Sequence, residues 1–165
     1  MPSRLTAIAV ALATLALPAR AGQQHVSAGL EGVPAALLVD LSAGQTLYAR
    51  HPDKPFRPAS MTKAMSALVA FDLIKAGRLD PQTIVIVDPG LARQWSGKGT
   101  TLSLRAGERI SVDRLIEGMV TVSANDATEV LARFAAGQRA EWIRLMNLRA
   151  RALGMDASTF GSPSG

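Results

Sequence analysis

Residues 64–71 are the most apolar helix-like run downstream of residue 21, with Ser66 as their single polar residue. Directly ahead of them stands Ser60-Met61-Thr62-Lys63. Pro58 restricts Arg57 to extended geometry, so the helix starts just after it. It is predicted to run to about Ala76, with Gly77 as its stop. Three steps along an α-helix turn through about 300°, which puts Ser60 and Lys63 on nearly one face. An amine beside a hydroxyl can take its proton and make it a nucleophile. Serine is also a good N-cap. A capping box, however, carries Glu or Gln where Lys63 stands. A cation in the first turn also opposes the helix dipole, by about 0.3–1 kcal/mol. From these residues alone, cap and nucleophile both stand.

The chain has 165 residues, enough for one domain with a real core and too few for two full ones. With 48% hydrophobic and 19% charged residues it is globular in composition. It has no cysteine, which excludes a disulfide framework and thiol catalysis. His25 and His51 are its two histidines, too few for a His-rich metal site and poor material for a His-based triad. No Gly-rich phosphate loop and no His/Asp/Glu cluster with ligand spacing occurs, so neither cofactor nor metal is expected.

Residues 1–21 read as a secretory signal peptide. Arg4 supplies the positive start, residues 5–17 the apolar stretch, and Ala19-Arg20-Ala21 an A-x-A cleavage site. The apolar stretch is too short for a comfortable transmembrane span. Export to the periplasm or cell envelope is therefore expected, with residues 22–165 as the mature part. The formal charge is +5 overall. Apart from Arg4 and Arg20 of residues 1–21, the basic residues are scattered, without the aromatic interleaving of a nucleic-acid surface, so no nucleic-acid partner is expected. They read as a solvated face or as a mild attraction for anionic substrates.

Residues 34–40 read as a largely buried strand, Ser42-Ala43-Gly44 as a turn, and residues 45–50 as the second arm of a hairpin. Residues 84–87 are a β-branched run and a short strand. Residues 91–100 read as a loop, in which Trp95 either rims a cleft or packs the loop onto the body. Leu102-Ser103-Leu104 reads as extended and Ala106-Gly107-Glu108 as a turn. Ser111 is a good N-cap for a helix over 112–120. Asn125 begins a helix over 126–136 that Gly137 stops. A third helix, 140–153, carries Trp142, Ile143, Met146 and Leu153 as its apolar stripe, with Gly154 as its stop. These helices suit an all-α subdomain inserted after the first strands. In the break Ser123-Ala124-Asn125, two polar side chains on a short turn can point at one cavity. Ser123 can relay a proton and Asn125 can hold an amide or a lysine. Either can equally cap the helix that follows.

Together, Ser60-Met61-Thr62-Lys63 and, roughly 60 residues on, Ser123-Ala124-Asn125 match two of the three signatures of penicillin-binding proteins and their relatives. Arg57-Pro58-Ala59, the turn Leu104-Arg105-Ala106-Gly107-Glu108, the run Val122-Ser123-Ala124-Asn125-Asp126-Ala127 and residues 147–160 extend the likeness. The chain resembles the low-molecular-weight penicillin-binding proteins, serine-type D-alanyl-D-alanine carboxypeptidases, from about residue 33 to its last residue. The resemblance implies an α+β fold of the β-lactamase/DD-peptidase kind, an antiparallel sheet with a helical subdomain. It implies Ser60 as the acyl-ester nucleophile and Lys63 as its general base. Ser123 becomes the proton relay and Asn125 a positioning residue, with the Ser60 N–H as an oxyanion donor. The implied partner is a peptidoglycan stem peptide ending in D-Ala-D-Ala, with β-lactams as inhibitors and no cofactor or metal.

The third signature, Lys-Thr-Gly, is absent; Lys98-Gly99-Thr100 has its letters in the wrong order and precedes Ser123. The chain ends on Phe160-Gly161-Ser162-Pro163-Ser164-Gly165, similar to a run that the family carries well before Lys-Thr-Gly. It is therefore expected to be a partial domain, cut before the later sheet strands. Two alternatives share the residues: a D,D-endopeptidase of the same family, and an inactive wall-binding fragment. A class A β-lactamase fits poorly, because Ala124 stands where those enzymes usually carry Asp and no Glu follows Glu141.

Overall fold

The computed structural model describes residues 32–165. The signal-peptide reading of residues 1–21 lies outside them. The chain divides into two compact units, one up to Phe56 and one from Arg57 to Gly165.

In the first unit, β1 (Ala36–Asp40) pairs antiparallel with β2 (Gln45–Arg50), with a register shift between Leu38 and Val39. The Asp40 carboxylate closes the turn by accepting from the Ser42 hydroxyl and N–H and from the Ala43 N–H. Gly44 completes it at φ 64, a left-handed conformation that costs glycine little. The hairpin matches expectation; its burial does not. Leu37, Leu38 and Val39 are exposed. A lone two-stranded ribbon gives an apolar strand nothing to pack on.

The second unit is built round α1 (Thr62–Lys75), whose buried residues include Met65, Ala67, Val69, Ala70 and Leu73. These positions face several ways round the helix, so it needs neighbours on more than one side. It has them in α3 (Val112–Thr121), α4 (Asn125–Ala136) and α5 (Arg139–Ala152). Leu115, Met119, Leu131, Trp142 and Met146 are almost completely buried among them. Each such side chain contributes about 1.5–3 kcal/mol. Ser111 caps α3 as expected, accepting from the Arg114 N–H at 3.3 Å. Of the stripe expected on α5, Trp142 and Met146 are buried, whereas Leu153 follows the helix and is exposed.

A second two-stranded antiparallel sheet joins β3 (Ile84–Ile86) to β4 (Arg109–Ser111), and Val87 prolongs the pairing through Gly107 and Glu108. The fold among the described residues is thus α+β. Two expectations are corrected here. Residues 91–95, expected as loop, belong to helix α2 (Pro89–Trp95), since Asp88 accepts from the Leu91 N–H and Pro89 occupies the first helical position. Residues 102–104 are not regular strand, because Ser103 takes φ 57. Among the described residues no helix is long and apolar enough to cross a membrane.

Candidate active site

Ser60 lies in a 3-10 turn, Ala59–Met61, one step ahead of α1, and not inside the α-helix as expected. It does not cap α1: the N-cap position is Met61, without a side-chain cap bond. Ala59 sits at φ 47, a left-handed conformation that costs a non-glycine residue about 1–2 kcal/mol. Ser60 itself is exposed, whereas Lys63, in the first turn of α1, is only 4% exposed. The Lys63 Nζ donates to Ser60 Oγ at 3.1 Å and to the Ser164 carbonyl at 2.9 Å. Burial pushes the Lys63 amine below its ordinary pKa of 10.5. The neutral amine, the form able to accept a proton, is favoured accordingly.

Ser123 occupies the turn between α3 and α4 at φ 60, again left-handed for a non-glycine residue. The N-cap of α4 is Ala124, with no side-chain cap bond, so neither Ser123 nor Asn125 serves as the cap. Helix α1 packs against both α3 and α4, which brings this turn into the same unit as Lys63. The hydrogen bonds among the described residues do not join the Ser123 or Asn125 side chains to Ser60 or Lys63. Asn125 instead meets the Lys98-Gly99-Thr100 stretch. Its N–H donates to the Thr100 carbonyl at 2.8 Å, and a Cβ on Gly99 would fall 2.9 Å from Asn125 Nδ2.

Asp126 was not singled out by sequence. It is buried, and its carboxylate accepts from the N–H groups of Leu102 at 2.9 Å and Leu104 at 3.0 Å, and from its own neighbour Ala127 at 2.8 Å. It thereby ties the irregular 102–104 stretch to the start of α4. Of the four non-glycine residues with positive φ among those described, Ala59 directly precedes the first motif, Ser123 opens the second, and Ser103 lies in the stretch that Asp126 ties to α4. Such strain persists only where surrounding contacts over-determine it, and it concentrates at functional sites. Trp95 does both things considered for it: it packs against the core and lines a pocket of about 340 Å³ with Ser103, Arg105 and Asp126.

Residues 160–165 also belong to the site. Asn147 grips Phe160 at both backbone groups, donating to its carbonyl at 2.9 Å and accepting from its N–H at 2.8 Å. Ser164, whose carbonyl holds Lys63, lies 3.5 Å through its hydroxyl from Glu129. Glu129 is almost wholly buried on α4 and pairs with Arg139 Nε at 3.2 Å. Burial raises the Glu129 pKa above 4.5, and the Arg139 charge opposes the rise. No local signal marks these contacts, because the partners lie far apart in the chain.

An exposed serine hydroxyl and a buried amine 3.1 Å apart are groups that serine acyl transfer can use. A family profile described as D-alanyl-D-alanine carboxypeptidase matches residues 22–165. The chain belongs to the D-alanyl-D-alanine carboxypeptidase family. Bacillus subtilis D-alanyl-D-alanine carboxypeptidase DacF is 30% identical over 130 residues, covering 79% of this chain and 33% of that protein. The structure of penicillin binding protein 5 from Haemophilus influenzae superposes with a TM-score of 0.76 at 28% identity, over 80% of this chain and 38% of that one. Penicillin-binding protein D2 from Listeria monocytogenes, in its ampicillin-bound form, gives 0.68 at 29%, over 80% and 51%. The fold is therefore that of the DD-peptidases. The chain spans between 33% and 42% of the length of the first curated relatives that it matches.

Proposed function

We propose that the protein is an exported serine-type D-Ala-D-Ala carboxypeptidase that trims the terminal D-alanine from peptidoglycan stem peptides, binds penicillin, and so acts in cell-wall biosynthesis and cell shape. The observation that carries this is the 3.1 Å approach of Lys63 Nζ to Ser60 Oγ, with the lysine buried and the serine exposed. Neutral Lys63 takes the Ser60 hydroxyl proton as Oγ attacks the carbonyl carbon between the two D-alanines. The Ser60 N–H is one donor to the oxyanion of the tetrahedral intermediate. Collapse of the intermediate breaks the C–N bond; Ser123 passes the proton to the departing amine, and D-alanine leaves. Water then hydrolyses the Ser60 ester, releasing the shortened peptide and restoring the hydroxyl. Asn125 positions the substrate amide. A β-lactam acylates Ser60 by the same attack; the ampicillin-bound Listeria relative supports that reading. The apolar leader in residues 1–21 supports a location in the periplasm or cell envelope.

The test is to label the intact protein with fluorescent penicillin and to assay D-alanine release from a pentapeptide ending in D-Ala-D-Ala. An adduct on Ser60 together with D-alanine release is expected. An adduct with cleavage of cross-linked peptides, and no release of terminal D-alanine, points to an endopeptidase instead. No adduct on Ser60 sinks the proposal.

A further inference from the structure

Ser66 is the single polar residue of the apolar run 64–71, and it is completely buried. A hydroxyl left unbonded there costs about 1–3 kcal/mol. A mid-helix serine commonly bonds back to its own helix. Ser66 instead reaches across the molecule. It accepts from Trp142 Nε1 at 3.1 Å and donates to the Pro163 carbonyl at 2.7 Å. Trp142 is itself completely buried, so both partners are held without water. One residue beyond Pro163, the Ser164 carbonyl receives Lys63 Nζ at 2.9 Å. Lys63 and Ser66 stand one turn apart on α1 and grip adjacent residues of one distant segment.

This arrangement bears on the direction of the amine. A neutral amine has two N–H bonds and one lone pair. When one N–H is committed to the Ser164 carbonyl, rotation about the Cε–Nζ bond is restricted and the lone pair can be held toward Ser60 Oγ. The carbonyl can do this only if its own position is set. Asn147 sets the start of the segment at Phe160, and Ser66 sets it next to the carbonyl that matters. We propose that Ser66, oriented by Trp142, is a positioning residue for Lys63, acting through Pro163 and Ser164. The inference rests on the reading of Lys63 as the base for Ser60.

The test uses the intact protein and two readouts, one of them independent of catalysis. The first is solvent exchange of the Lys63 Nζ protons, followed by 15N NMR of the side chain. The second is acylation by fluorescent penicillin, separated into the dissociation constant of the initial complex and the first-order acylation rate. In Ser66→Ala, exchange should quicken about tenfold and the acylation rate fall about tenfold, as expected for a slackened bond to a charged or polar donor, with initial binding unchanged. Ser66→Thr keeps the hydroxyl and should restore both. Trp142→Phe keeps a ring but loses the Nε1 donor, and should fall between Ser66→Ala and wild type. A folded Ser66→Ala protein with wild-type Lys63 exchange overturns the inference, even if its melting temperature drops. Should Ser66→Ala fail to fold, unchanged exchange in Trp142→Phe overturns it equally. Faster exchange in Ser66→Ala, in a protein whose wild type takes up no penicillin, upholds the positioning contact and refutes the base assignment.

Discussion

Lys63 Nζ stands 3.1 Å from Ser60 Oγ although the two residues belong to different kinds of helix, a 3-10 turn and the first turn of α1. The junction leaves Ser60 exposed while Lys63 is drawn inside. In the proposed reaction the serine must meet substrate, and the lysine must shed its proton at working pH. The break in helix type meets both needs within four residues.

Ser60→Ala should abolish the penicillin adduct. Lys63→Arg should keep the positive charge and lower acylation by about 10²–10⁴, because a guanidinium does not give up its proton. In the wild type, acylation should rise with pH along a limb whose midpoint lies below 10.5, since burial lowers the Lys63 pKa and the neutral amine is the active form. Stopped-flow acylation across the pH range measures this; a midpoint at or above the ordinary lysine value counts against Lys63 as the base.

Ser123→Gly separates stability from chemistry. Ser123 holds φ 60, so glycine should relieve about 1 kcal/mol of backbone strain and raise the thermal midpoint. It also removes the hydroxyl proposed to relay the proton, so turnover of the peptide substrate should fall. Calorimetry and D-alanine release on one preparation test both halves. A variant that is more stable and equally active argues against the relay.

Glu129 should make stability depend on acid pH. Its folded pKa is raised by burial above 4.5, so the folded protein holds the proton more tightly than the unfolded chain. Its contribution is fully present below the unfolded pKa and is lost as pH rises through the folded one. The stability of wild type relative to Glu129→Gln should therefore decline as pH rises from below 4.5 through the raised folded-state pKa, as urea unfolding at a series of pH values will report. A flat difference means that Arg139 offsets the desolvation completely.

Gly118→Ala should destabilise the 102–104 stretch. A Cβ at Gly118 would lie 2.5 Å from Leu102 Cδ1, so Leu102 must move. Leu102 is tied to Asp126, beside Asn125, but its side chain is exposed and can turn away. Alanine also gains about 1 kcal/mol over glycine inside a helix, so the global cost should stay below about 1 kcal/mol. Thermal melts give the cost, and faster amide exchange at Leu102 and Leu104 locates it.

Much of this was legible along the chain. Gly77, Gly137 and Gly154 mark helix ends, and Ser111 marks a start, because caps act within one turn. Helix α2 was equally local, since Asp88-Pro89 is a start signal, yet the glycines after Trp95 drew the stretch toward loop. The exposure of β1 was not legible: an apolar strand looks the same whether or not anything covers it.

Local pattern was enough to place Ser60 and Lys63 within reach of each other, because their spacing is a property of one turn. It was also enough to pair Ser123 with Asn125 as a motif. What holds the Lys63 amine was decided only in three dimensions. The Ser164 carbonyl, the Ser66–Trp142 pair behind Pro163, and the buried Glu129 come from segments far apart in sequence. Spacing can bring side chains of one turn together, but the direction and burial of an amine depend on which distant chain packs over it.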